Sequence, residues 1–192
     1  MSRCTEPTPP LHTDYRYFYI PPMDLIVDCS RKGVNLGLYS KDISCELCEP
    51  NAKGDELKHL LDKLLAENNF EIEHIKRVLV TLGPGSFTGI RAGIAFCEGL
   101  CFSGKRTLHG ISTLKALAMS HGKEIILHAR ANFYYVGNAE NETLKQFENK
   151  PETHEYLPIT PFAKLIDQIP PSRIQKANYL ANPYLQPLAT PH

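Results

Sequence analysis

The 192-residue chain predicts an α/β fold with a mixed sheet, on three observations. Val78-Leu79-Val80-Thr81-Leu82 has the length and β-branched content of a central strand and stops at the breaker Gly83-Pro84-Gly85. From Ile90 the apolar spacing becomes helical, with Ser86 or Thr88 placed to cap the first turn. Upstream, short alternating runs lead into a leucine stripe at helical spacing, so strands and helices interleave along the chain.

Residues 24–29, 34–39 and 43–48 read as an antiparallel meander, with Val34, Leu36 and Leu38 alternating in the second strand. Gly54-Asp55 opens a helix in which Leu57, Leu60, Leu61, Leu64 and Leu65 form one apolar stripe. After a short linker come the strand at 78–82, a helix at 88–102 and a short strand from Thr107 to Gly110. Ser112 caps a further helix through Met119, and Glu124–His128 pairs as a hairpin with Asn132–Val136. From Glu140 to Pro171 charged residues and prolines dominate. Residues 1–22, with several prolines and an alternating Tyr15, Tyr17 and Tyr19, read as an N-terminal extension expected to be disordered. Met23, directly before the first core strand, is read as an alternative translation start. The expected division is therefore the extension 1–22, a first lobe at 23–120 and a reduced second lobe at 121–192.

A hydrophobic content of 42% is enough for a real core. Twenty-one basic residues balance 21 acidic ones, so no global field draws the chain to nucleic acid or anionic membrane. No apolar run reaches the roughly 20 residues needed to cross a bilayer, and a cytoplasmic location is expected. Cys45 and Cys48 form a CxxC, but Ile43, Cys45 and Leu47 alternate as one strand face, which turns Cys48 to the other. Cys97 and Cys101, one helical turn apart, read as small apolar side chains, and no metal site is expected.

The glycine turn admits two readings. Unpaired N–H groups at a helix start, beside glycines that allow close approach, suit a phosphate, yet the segment is neither a Walker loop nor a dinucleotide fingerprint. The same glycines would also let strand, turn and helix pack closely. Asp28 and Ser30 are equally two-sided: an acidic residue at a strand end can handle a metal, or it can accept backbone hydrogen bonds within its turn, here Arg31-Lys32-Gly33. Ser86 lacks the second glycine of a nucleophile elbow and any marked His and Asp partners, which leaves no catalytic residue assigned.

The string Gly83-Pro84-Gly85-Ser86-Phe87-Thr88-Gly89-Ile90-Arg91, followed by Gly110-Ile111-Ser112-Thr113-Leu114-Lys115-Ala116-Leu117-Ala118, resembles the TsaB (YeaZ) family. Leu25-Ile26-Val27-Asp28-Cys29-Ser30 looks like that family's opening strand, and Asn182-Pro183-Tyr184-Leu185-Gln186-Pro187 like its close. The element order matches one lobe of the actin-like ATPase fold (ASKHA, ribonuclease H-like). The resemblance implies a non-catalytic scaffold in the formation of N6-threonylcarbamoyladenosine in tRNA, a role in which TsaB dimerises with its catalytic paralogue TsaD. TsaE, an ATPase, joins at their junction, and tRNA is met only through the complex. It also allows a homodimer of the chain alone, and weak ATP or ADP binding at an interface in place of a dedicated cofactor.

The metal-binding His pair carried by the catalytic paralogues of TsaB has no counterpart here, since the helix at 55–67 carries only His59, and His128-Ala129-Arg130 stands where the TsaB family has Asp-Ala-Arg. Along the helix at 88–102, Gly89, Ala92, Gly93, Phe96 and Gly99 recur at spacings of three and four, a surface another helix can approach closely. It would face either a partner or the helix at 113–119. The resemblance favours the partner, with Leu57, Leu61, Leu64, Gly89, Gly93 and Phe96 as the interface and Gly83, Gly85, Ser86, Thr88 and Arg91 as the loop that positions it. On that reading Gly93→Leu abolishes the heterodimer and leaves the monomer folded. The rival reading is a stand-alone actin-like ATPase acting through Asp28, Ser30 and the Gly83–Ser86 turn; protease activity finds little support in these residues.

Overall fold

The computed structural model describes residues 20–180. The expected extension, apart from Ile20–Pro22, and the closing motif Asn182–Pro187 lie outside the described residues. The first sheet has strands β1 (Met23–Asp28), β2 (Val34–Tyr39), β3 (Ser44–Glu49), β4 (Ile75–Thr81) and β5 (Thr107–Ile111), in the order β3-β2-β1-β4-β5. β1, β2 and β3 pair antiparallel; β4 joins β1 and β5 joins β4 in parallel, which makes the sheet mixed. A second sheet, antiparallel and ordered β6-β7-β8, holds β6 (Ile125–Arg130), β7 (Phe133–Gly137) and β8 (Glu142–Gln146).

Strand periodicity sorts the core into two layers. Leu25 and Val27 of the first strand, with Cys29 just past its end, join β2, β4 and the helices α1 (Leu57–Glu67) and α2 (Phe87–Cys101) on one face. Ile26 and Leu79 face the other way, onto α3 (Thr113–His121), β6, β7 and a 3₁₀ segment at Thr160–Gln168. That segment is fastened at both ends. Thr160 and Tyr39 hydroxyls both donate to Glu46, and Asp167 accepts from Arg77, itself held by Asp24 through two bonds of 2.6 Å. No helix among the described residues is long and apolar enough to cross a membrane.

Each core element expected of the first lobe is present, within a few residues of its expected limits. β4 starts at Ile75, three residues early, because parallel pairing with Met23 extends it into the charged pair Lys76-Arg77. β8 and the 3₁₀ segment were not expected. β8 is a mostly exposed edge strand without alternation, while Pro161 and short-range turns hide the amphipathic Phe162, Leu165 and Ile166.

Two expectations about surfaces need correction. Leu57, Leu61 and Leu64 are almost completely buried in the chain's own first core layer, so they are not a partner face. Nor do Gly89 and Gly93 of α2 look outward or onto α3, which lies on the opposite side of the sheet; of that small-residue set only Gly99 is exposed. A side chain at Gly89 would strike the Cys29 carbonyl oxygen, and one at Gly93 would sit 3.5 Å from the Cys29 Cβ. Phe96 also packs, half-buried, against this layer. The glycines let α2 lie close on β1.

Two substitutions check this assignment in the isolated chain. Leu61→Ala should lower unfolding free energy by about 2–5 kcal/mol, as expected of a buried leucine. Gly93→Leu should cost about 1–3 kcal/mol by overpacking against Cys29. Urea denaturation of each variant measures both; a surface role for either residue predicts a change within about 0.5 kcal/mol.

Candidate functional site

The strand ends of the first sheet bring Asp28, Ser30, Thr81 and Thr113 together beneath the glycine turn. Asp28 is fully buried. Its Oδ1 accepts from the Ser30 N–H at 3.0 Å, the Ser30 hydroxyl at 2.6 Å and the Thr81 hydroxyl at 2.7 Å, while Oδ2 accepts from Arg31 Nε at 2.6 Å. Ser30 in turn accepts from the Thr113 hydroxyl at 2.8 Å. Burial by itself would raise the Asp28 pKa, but the Arg31 guanidinium and the hydroxyl donors outweigh it and hold the carboxyl below its usual value.

Arg31 is 5% exposed and reaches further. Its Nη1 donates to the carbonyl oxygens of Leu157 at 2.6 Å and Glu155 at 3.2 Å, so one guanidinium joins the β1–β2 turn to the segment beside the second sheet. The Glu155 carboxylate accepts from the His128 N–H at 2.6 Å; burial raises its pKa, opposed by that bond and by the Arg31 charge. Between these parts lies a cleft of about 570 Å³, lined in part by Ser30, Lys32, Ser86, Thr88, His128 and Arg130.

Above Asp28 the turn is held by close backbone approach. A Cβ at Gly85 would collide with the Ser30 carbonyl oxygen, the atom that accepts the Ser86 N–H at 2.7 Å. The Gly83 carbonyl accepts from the Thr113 N–H at 2.7 Å, and the Ser86 hydroxyl caps α2 by accepting from the Gly89 N–H at 3.2 Å. The packing role of these glycines is thus directly visible. Thr88 and Arg91 are exposed, Arg91 lying over the Phe87 ring at 3.9 Å.

The actin-like fold that the resemblance implies would bring a nucleotide with a metal ion, and the residues at Asp28 do not fit that pair. Both carboxylate oxygens already serve internal donors, and the neighbouring cation is the chain's own arginine. Among the described residues no group of three or more His, Cys, Asp or Glu is arranged to hold a metal ion. His59 is exposed on α1, and Cys45 and Cys48 lie on opposite faces of β3, one buried and one exposed. Burial pushes the thiols of Cys29 and Cys97 up, so neither is a ready nucleophile. Sequence reasoning passed over Arg31 and Thr113. The signal for Arg31 was its position three residues after a buried acid; Thr113 gave none, because its contact spans 83 residues.

Residues 53–157, more than half of the chain, match the family described as "TsaD: tRNA N6-adenosine threonylcarbamoyltransferase". A Buchnera aphidicola protein named "tRNA threonylcarbamoyladenosine biosynthesis protein TsaB" is 33% identical over 96 residues, 49% of this chain and 46% of that protein. The chain belongs to this family, on its TsaB (YeaZ) branch. The Escherichia coli protein of the same name is 27% identical over 97 residues, covering 49% of this chain and 42% of its own length. This TsaB-family chain thus spans about half the length of the curated relatives it matches. The solved structure of YeaZ from Pseudomonas aeruginosa superposes with a TM-score of 0.58 at 22% identity, over 68% of this chain and 69% of that one, a likeness of fold.

Arg31 supplies the test of this site. Arg31→Met should destabilise the chain by about 3–5 kcal/mol at neutral pH, because it leaves a buried carboxylate uncompensated. Asp28 has a lowered pKa in the fold, so its favourable contribution is present above its unfolded value of about 3.9 and lost as pH falls through the folded one. The deficit of Arg31→Met should therefore shrink as acid protonates Asp28, and Asp28→Asn added to it should recover part of the loss at pH 7. Urea midpoints of the wild type and the two variants against pH measure this; a deficit independent of pH argues against the pair.

Proposed function

We propose that this chain is a non-catalytic scaffold subunit of the complex that forms N6-threonylcarbamoyladenosine in tRNA, pairing with a TsaD-type transferase. The observation that carries the pairing is a row of exposed apolar groups. Five large hydrophobic residues are exposed among those described, and four of them, Phe87, Phe102, Ile174 and Tyr179, lie on α2 or on the segment that crosses it. Between Phe87 and Phe102 the outward face of α2 presents Arg91, Ala95 and Gly99, where a partner helix can come close. Clustered apolar exposure of this kind marks interaction surfaces.

The scaffold role is supported by the chemistry at Asp28, whose oxygens are engaged internally, and by the names of the relatives. A balanced net charge fits a subunit that meets tRNA through its partner. A TsaE-type ATPase joining the pair, and weak ATP or ADP binding at their junction, complete the reading.

Co-purification with a TsaD homologue from the same cell tests it. A side chain at Gly99 meets nothing within 4 Å, so Gly99→Arg should leave the monomer folded and no less stable while abolishing the heterodimer. Titration of the isolated chain with Mg-ATP should release little heat. Micromolar binding with turnover would instead favour a stand-alone ATPase.

A further inference from the structure

The exposed row is not built by α2 alone. After the 3₁₀ segment the chain runs as a strap along the outer edge of β5 and past the carboxyl end of β4. Pro171 bridges to His109, the Ser172 N–H donates to the Leu108 carbonyl at 2.8 Å, and the Gln175 N–H donates to the Glu98 carboxylate of α2 at 2.9 Å. The Asn178 N–H donates to the Leu82 carbonyl at 2.7 Å. This course bears on both motifs: a Cβ at Gly83 would stand 2.9 Å from the Asn178 carbonyl oxygen, and the Gln175 carboxamide lies over Gly110.

The strap delivers Tyr179 to the start of α2. Arg91 Nε donates to its hydroxyl at 3.1 Å, its ring lies 5.3 Å from that of Phe87, and the Arg91 guanidinium covers the Phe87 ring. Asn178, one residue earlier, donates its side-chain N–H to Glu142 at 2.8 Å, and the other Glu142 oxygen accepts from the Ser112 hydroxyl at the cap of α3. The three-residue stack is thus anchored to the second sheet as well as to the first.

We infer that Tyr179 is a positioning residue for the partner face, acting by holding Arg91 and Phe87 in one arrangement before the partner arrives. The inference rests on the pairing proposed above and takes as its occupant a TsaD-type chain. The matched family is that of TsaD itself, so both chains carry this lobe and can meet helix to helix, with aromatic groups at either end of a small-residue stretch. A free arginine on a helix surface loses much of its rotamer freedom on binding; one already stacked and hydrogen-bonded loses less.

The test is a double-mutant cycle on the affinity of the full-length chain for its TsaD-type partner. Tyr179→Ala should weaken binding about 10-fold and Tyr179→Phe, which keeps the ring and loses the hydroxyl, about 3-fold, with thermal stability unchanged. In an Arg91→Ala background the further loss from Tyr179→Ala should fall below about 2-fold, because Tyr179 acts through Arg91. Full additivity would mean that Tyr179 touches the partner directly and would overturn the positioning role, as would wild-type affinity in Tyr179→Ala. Absence of binding by the wild-type chain would overturn this inference together with the pairing it rests on.

Discussion

A buried carboxylate can persist only where its charge and lone pairs are answered, and at Asp28 the answer organises this fold. Four donors converge on it from Ser30, Arg31 and Thr81. Ser30 passes the connection to Thr113 at the start of α3, and Arg31 passes it to the carbonyls of Glu155 and Leu157. A β1–β2 turn of a few residues is thereby joined to β4, to α3 and to the segment beside the second sheet. The glycine turn rests on the same hub through the Ser30 carbonyl oxygen.

That arrangement bears directly on function. A carboxylate that must coordinate a cation needs a free oxygen, and an arginine in contact with it competes for the same charge. Asp28 and Ser30 therefore serve cohesion among β1, β4 and α3. Small residues on α2 work on both of its sides: Gly89 and Gly93 bring it down on β1, while Ala95 and Gly99 leave its outer side low between Phe87 and Phe102. A single helix accommodates close neighbours on opposite faces.

Much of this was readable from residue order. Period-2 alternation in β2, the leucine stripe of α1 and the serine caps of α2 and α3 are local signals, and the elements stand where those signals place them. β8 was not readable because an exposed edge strand carries no alternation, and the 3₁₀ segment because its fastenings to Glu46 and Arg77 come from distant strands. The interface assignment misled for a related reason. A helical wheel shows that Gly89 and Gly93 share a face, but a face made of small residues is equally suited to a sheet below and to a partner above.

The sequence by itself determined the α/β class, the element order as far as β7 and the family, since each depends on short-range periodicity, breakers and caps, or on a contiguous motif. The tertiary structure alone decided which faces are inside, what Asp28 binds and where the strap lies. Those properties depend on contacts such as Ser30 with Thr113 or Arg91 with Tyr179, 83 and 88 residues apart, which close only after the chain has folded over them.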